Sequence, residues 1–309
     1  MPLRHELGSF VTHPSRPEWG PGRVLNVRGS KITVYFRDVP GDDPRDAVKT
    51  ILMDRVELDI SDLQSDTILD NLPPYRDGQF ARLPRKRVTL SEGIDKFRSI
   101  FPLYFEDPRY IGDLKDGERA YKWAAHRLFA DTLGGGRLRQ LLDDGEIDEA
   151  RRRALAVESR VNILAVFEKV ALRDGLRDDR AAQAFLTALS GLIDAEAPAR
   201  EPFERYAAAL GALSSEEGKT DPAKWTVATV LPYLAAPERF MFLKPRVTQD
   251  CAARLTFDLK YSAQLKWVTY RKLLEMSHYL LRELRPYGAR DFIDVQSFVW
   301  VIGGGWDDV

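Results

Sequence analysis

VTHPSRPEWGPGRVLNVRGSKITVYFRD, residues 11–38, sets two strand-like runs behind a hinge of prolines and glycines. The runs are GRVLNVRG (22–29) and SKITVYFRD (30–38), and Gly29-Ser30 between them is a tight hairpin signal. In the second run Ile32, Val34 and Phe36 alternate with Thr33, Tyr35 and Arg37. The first three are expected on one face and the others on the opposite face. In the hinge, Pro17 and Pro21 stiffen the backbone. Gly20 and Gly22 allow a sharp turn and a close approach to a neighbouring strand. Trp19 is large enough to plug one end of a small barrel, or to stand out as an interaction anchor.

Working outward, GSFVTHP before the hinge reads as a first strand, and VPGDDPRD after Asp38 as a turn-rich loop. AVKTILMDRVELDI then supplies closing strands, with Val48, Ile51, Val56 and Leu58 as core positions. Four or five short antiparallel strands in residues 1–64 predict a small SH3/tudor-like barrel, because closure removes exposed sheet edges. Residues 65–90 read as a linker, with prolines and the basic cluster Arg82, Arg85, Lys86 and Arg87, which suits contact with phosphates.

Residues 91–309 read as mostly α-helical, with a possible division near 215–224. GERAYKWAAHRLFADTLGGG, DDRAAQAFLTALSGLIDA, EPFERYAAALGAL and QLKWVTYRKLLEMSHYLLREL are amphipathic helices. EIDEARRRALAVESRVNILAVFEKVALRDG is one long helix or two short ones, and ARDFIDVQSFVWVIGGG a helix capped by Asp291. FMFLKP is an extended segment. The fold class is therefore α+β, a small β-barrel followed by a helical region.

The order V-x-H-P…P-E-W-G-P-G-R-V followed by I-T-V-Y-F-R-D resembles the tail domain of the UvrD and PcrA repair helicases. It is more distantly similar to the polymerase-interacting module of the CarD class. The likeness covers residues 10–60, about a fifth of the chain, and is most specific over HPSRPEWGPGRV. It implies a domain that docks on RNA polymerase or nucleic acid and carries no catalysis. Helicase motifs are absent from the sequence, so helicase activity does not follow from it.

Composition narrows the function classes. The formal net charge is -1, from 46 basic and 47 acidic residues, which excludes a globally basic nucleic-acid coat. A single cysteine, Cys251, rules out a disulfide framework and a multi-cysteine zinc site, and its apolar setting reads as a buried structural thiol. MPLRHELGSF has no apolar signal region and no run is long enough to span a membrane, so a cytoplasmic protein without a membrane partner is expected. His5, His13, His126 and His278 lie far apart, and neither a metal nor a cofactor is implied. GALSSEEGKT ends like a phosphate loop, but six residues separate Gly211 from Gly218 where such a loop needs four, so it reads as a surface turn.

Three patterns carry weak chemical signals. Arg119 and His126, seven positions apart, share one helical face and loosely resemble the Arg-x(4–6)-His motif of HEPN ribonucleases. That resemblance implies phosphodiester cleavage, although Lys122 intervenes and the usual Asn or Asp is missing. Asp258-x-Lys260 is similar to the acidic-x-Lys half of metal-dependent restriction nucleases, with Asp250 as the nearby upstream carboxylate. RDFIDVQSF concentrates Arg290, Asp291, Asp294, Gln296 and Ser297, as a helix start or a polar binding site. The expected function is a non-enzymatic adaptor docking on RNA polymerase or a repair complex through the barrel. Trp19, Tyr35, Arg37 and the 82–87 cations are its binding residues. The alternatives are a nuclease, or a direct duplex binder.

Overall fold

The computed structural model describes residues 5–81, 86–112, 117–213 and 221–305. They form two compact units: Met1–Ile100 with Gln249–Leu259 and Val301–Val309, and Phe101–Thr248 with Lys260–Trp300.

The first unit is built on an antiparallel sheet of β1 (Phe10–Thr12), β2 (Gly22–Arg28), β3 (Lys31–Phe36), β4 (Val48–Leu52) and β5 (Asp59–Ile60), in the order β4-β3-β2-β1-β5. The β2–β3 hairpin closes at Arg28↔Lys31 with Gly29 at a φ of 60°, as the Gly-Ser turn requires. Val11, Val24, Ile32, Val34, Phe36, Ile51 and Leu58 are buried in its core, and Val48 and Val56 pack half-buried against it. The hinge glycines do what the sequence asks of them. Gly20 has a φ of 67°, and a Cβ on Gly22 would stand 2.6 Å from Val34 Cγ1 and 2.7 Å from the Phe36 ring.

The described part of 65–90 is more than a connector. Leu69 and Phe80 belong to the core of the β-domain. Asp66 Oδ1 accepts from the Ile68 and Leu69 amides at 3.0 and 2.9 Å, holding a short 3-10 turn. β6 (Tyr75–Arg76) and β7 (Gln79–Phe80) form a small hairpin, with the Tyr75 and Phe80 rings 5.0 Å apart. Thr89 and Glu92 then make a reciprocal capping box: the Thr89 amide donates to Glu92 Oε2 at 2.7 Å and the Glu92 amide to Thr89 Oγ1 at 3.2 Å. That box starts α1 (Leu90–Ile100). The later segments join the unit through backbone bonds, from the Val88 amide to the Arg254 carbonyl at 2.9 Å and from the Asp258 amide to the Asn71 carbonyl at 2.7 Å.

The second unit is helical. It holds α2 (Pro108–Ile111), α3 (Ala120–Thr132), α4 (Arg137–Asp143), α5 (Ile147–Ser159), α6 (Val166–Gly175), α7 (Asp179–Ile193), α8 (Arg200–Gly211), α9 (Trp225–Ala235) and α11 (Trp267–Leu284). α10 (Pro245–Arg254) and α12 (Phe292–Ile302) each begin in this unit and run on into segments of the first. The thirty-residue run that allowed one helix or two is two, α5 and α6. α9 is buried from Trp225 to Leu234, as an apolar helix surrounded by others must be. The Phe203 and Tyr270 rings stack at 4.9 Å beside Trp225, whose Nε1–H donates to the Ser262 carbonyl at 2.7 Å. In FMFLKP, residues 240–244 have no regular secondary structure and Pro245 opens α10, with Phe240 to Leu243 buried. Its amides at Met241 and Leu243 donate to the Tyr270 and Thr229 hydroxyls at 3.2 and 2.9 Å. Among the described residues no helix is long and apolar enough to cross a membrane.

Candidate functional site

On the β-domain the 3-10 turn Pro17–Trp19 carries the tryptophan. The Asp38 amide donates to the Trp19 carbonyl and the Arg37 amide to the Pro21 carbonyl, both at 3.0 Å, so the hinge is tied to the end of β3. The Trp19 ring is half-buried. It packs 5.3 Å from the Phe36 ring and 5.0 Å from His13, so it covers part of the core and keeps a face at the surface. Lys49 Nζ and the Arg16 guanidinium lie 5.3 and 5.8 Å from its centroid. The Arg16 guanidinium also pairs with Glu18 at 3.6 Å.

Tyr35 and Arg37 differ from the expectation. Tyr35 is buried, because Phe80 packs on its ring at 5.7 Å and Arg87 Nε donates to its hydroxyl at 3.1 Å. Phe80 and Arg87 thus cover Tyr35 on the face opposite Ile32, Val34 and Phe36. Arg37 donates to Asp38 through Nε and Nη2, both at 2.9 Å, and pairs with Asp66. It braces the loop beside it.

The two described members of the basic cluster, Lys86 and Arg87, differ in setting. Arg87 is buried inside the unit, with its guanidinium donating to the Tyr35 hydroxyl and to the Val39 and Arg37 carbonyls. Lys86 makes an exposed ion pair with Asp42 at 3.0 Å. Arg82 and Arg85 lie outside the described residues, as does the Gly218-Lys219-Thr220 sequence.

In the helical unit the structure joins two patterns that the sequence kept separate. Arg119, just before α3, donates from Nη1 to Asp291 Oδ1 at 2.9 Å and Asp294 Oδ1 at 2.6 Å, and from Nη2 to Asp291 Oδ2 at 2.5 Å. Asp294 also accepts from the Tyr110 hydroxyl at 2.6 Å and the Arg290 amide at 2.7 Å. Asp291 accepts from the Ile293 amide at 2.9 Å, the expected helix cap. Burial opposes the charge on Arg119. Its hydrogen bond to Asp291 and the charges of Asp294 and Asp291 outweigh that, and its pKa rises. Burial raises the Asp294 carboxyl above the ordinary range, against the pull of Arg119. Burial and the neighbouring Asp294 charge likewise keep the Tyr110 phenol protonated.

The two members of the Arg119–His126 pattern have separate partners. Arg119 is engaged by two carboxylates, which a phosphodiester would have to displace. His126 Nδ1 lies 2.9 Å from the Leu234 carbonyl, and with a carbonyl as acceptor that nitrogen carries the proton. Next to it Lys122 is buried, donating to Glu118 and to Ser297 Oγ at 3.1 Å. The Glu118–Lys122 pair has a sequence signal in its i,i+4 spacing. Tyr110 has none, because its role depends on α12 arriving from 184 residues away.

Asp258 is half-buried and Lys260 exposed, with a φ of 51°, and the two residues fall in different compact units. Among the described residues no three His, Cys, Asp or Glu side chains are grouped to hold a metal ion. Cys251 is buried, and burial pushes its thiol up to about 12.

Residues 6–40 match a family described as Protein of unknown function (DUF3553). The match spans the hinge, the hairpin and Trp19. No curated protein and no solved structure matches the chain.

Proposed function

We propose that the protein is a non-enzymatic adaptor whose N-terminal β-domain docks on RNA polymerase, or on a repair complex associated with it. The observation that carries this reading is the half-buried Trp19 with Lys49 and Arg16 beside it. Such a surface suits an acidic protein face, and the resemblance of residues 10–60 to polymerase- and repair-associated domains supplies the partner class. The engagement of Arg119 by Asp291 and Asp294 favours an adaptor over a nuclease. Burial of Arg87 removes one of the four cations on which duplex binding relied.

The test is equilibrium binding of the full chain to purified bacterial RNA polymerase core and, separately, to labelled duplex DNA. Polymerase binding that weakens at least about tenfold in Lys49→Glu and in Arg16→Glu supports the reading. Absence of polymerase binding, or duplex binding with a steep salt dependence that both variants retain, overturns it.

A further inference from the structure

A groove of about 1180 Å³ lies along α3 in the helical unit, with Ile111, Trp123 and Leu128 as its large apolar side chains. Ile111 and Trp123 are 40% and 38% exposed. Two large apolar side chains open to solvent in one groove mark an interaction surface. The Trp123 indole is braced from within its own helix and the residue before it. The His126 ring lies 4.8 Å from its centroid and the Arg119 guanidinium 4.9 Å. A ring fixed before contact is a good anchor, because little freedom is lost on binding. A second depression of about 380 Å³ adjoins the first, since Leu128 and Asp131 line both. The two together follow the helix from Ala120 to Thr132, a long open shape that suits a linear chain better than a compact small molecule.

Charge along this surface is unbalanced. Arg127 and Arg160 line the groove, are exposed, and have no side-chain partner among the described residues. In the adjoining depression Arg137 donates to the Asp131 carbonyl at 2.5 Å, which leaves its charge uncompensated. Arg152 and Arg153 share the one carboxylate of Glu149. The other acidic groups on the walls are the exposed Asp131 and Asp291, and Asp291 is taken up by Arg119. Arg290 is likewise engaged, 3.8 Å from Asp294. An apolar strip bordered by surplus arginines selects a chain of the opposite pattern. We propose that the α3 surface docks an acidic protein segment that carries a large apolar side chain. The apolar side chain seats on Trp123 and Ile111, and the segment's carboxylates meet Arg127, Arg160 and Arg137. Asp131 and Glu149 break the row of arginines, so a nucleic acid, charged at every unit, meets repulsion that a peptide with spaced carboxylates avoids. This surface gives an adaptor its second partner, and it rests on none of the residues that carry polymerase docking.

The probe is a random-peptide display library, selected in parallel on the full-length protein and on a variant combining Arg127→Glu with Arg160→Glu. Peptides kept by the wild type and lost on the variant are expected to be net negative and to carry Phe, Trp, Leu or Ile. A labelled synthetic copy of the most enriched peptide is then titrated by fluorescence anisotropy. Trp123→Ser and Arg160→Glu are each expected to weaken it at least about tenfold. Lys49→Glu, in the β-domain, leaves it unchanged, so this result and the polymerase result fail separately. A thermal melt shows that each variant is folded. No enrichment, enrichment of neutral or basic peptides, or the same peptides on the double variant overturns the proposal. So does displacement of the peptide by oligothymidylate, which assigns the surface to nucleic acid. Self-association of the wild type that the double variant loses in sedimentation assigns it to a second copy of the chain, and overturns the proposal equally.

Discussion

Arg119 and Asp291, 172 positions apart, face each other through two parallel hydrogen bonds of 2.9 and 2.5 Å, both side chains largely removed from water. Asp294 adds a second carboxylate to the same guanidinium at 2.6 Å. Removing the cation alone leaves two acidic groups in a low-dielectric site. Arg119→Ala is expected to destabilise the helical unit by about 3–5 kcal/mol, read by urea denaturation. A change below about 1 kcal/mol would contradict the burial of the pair.

Arg87 gives the equivalent test for the β-domain. Arg87→Met leaves the Tyr35 hydroxyl and the Val39 and Arg37 carbonyls without their donor, a loss of about 3 kcal/mol or more. Lys86→Ala, one position away, is expected to change stability by less than about 0.5 kcal/mol, because its pair with Asp42 is exposed. Equal effects of the two substitutions would return Arg87 to the surface cluster.

Gly22→Ala tests the hinge. The added methyl group meets Val34 and the Phe36 ring at under 3 Å, so the β2–β3 packing has to yield. A loss of about 1–3 kcal/mol is expected in a thermal melt of the variant. A neutral result would mean that the strands do not approach as closely as described.

Cys251 supplies a chemical readout. Its thiol is buried and its pKa is pushed up to about 12, so almost no thiolate is present at pH 8. A disulfide-exchange reagent is expected to leave the native chain unlabelled and to titrate one thiol in denaturant. Rapid labelling of the native protein would show that the site opens readily.

Acid should weaken α5. Hydrogen bonds from Arg152 and then Arg153 hold Glu149 at about 2, below its ordinary value of 4.5. A carboxylate with a depressed native pKa contributes stability above its unfolded pKa and loses it as pH falls towards the native one. The wild-type advantage over Glu149→Gln is therefore expected at pH 6 and should fade between about pH 4.5 and 2. A difference independent of pH would argue against these ion pairs.

The β-domain was legible because its signals are local. Gly20, Gly22 and Gly29 mark the places where only a small residue fits or turns, and alternation in β3 places Ile32, Val34 and Phe36 correctly. Tyr35 was misplaced because its cover comes from Phe80 and Arg87, in a stretch whose prolines and charges read as a solvated connector. The helices announce themselves through caps and apolar spacing. What no window of sequence shows is the meeting of Arg119 with Asp291 and Asp294, because each was explicable where it stood.

The most direct test of the docking role is amide hydrogen exchange on the full chain, alone and with bacterial RNA polymerase core. The account predicts slowed exchange in the complex around residues 13–20 and 48–50, where Trp19, Arg16 and Lys49 converge. Unchanged exchange there, or protection confined to the helical unit, would contradict it.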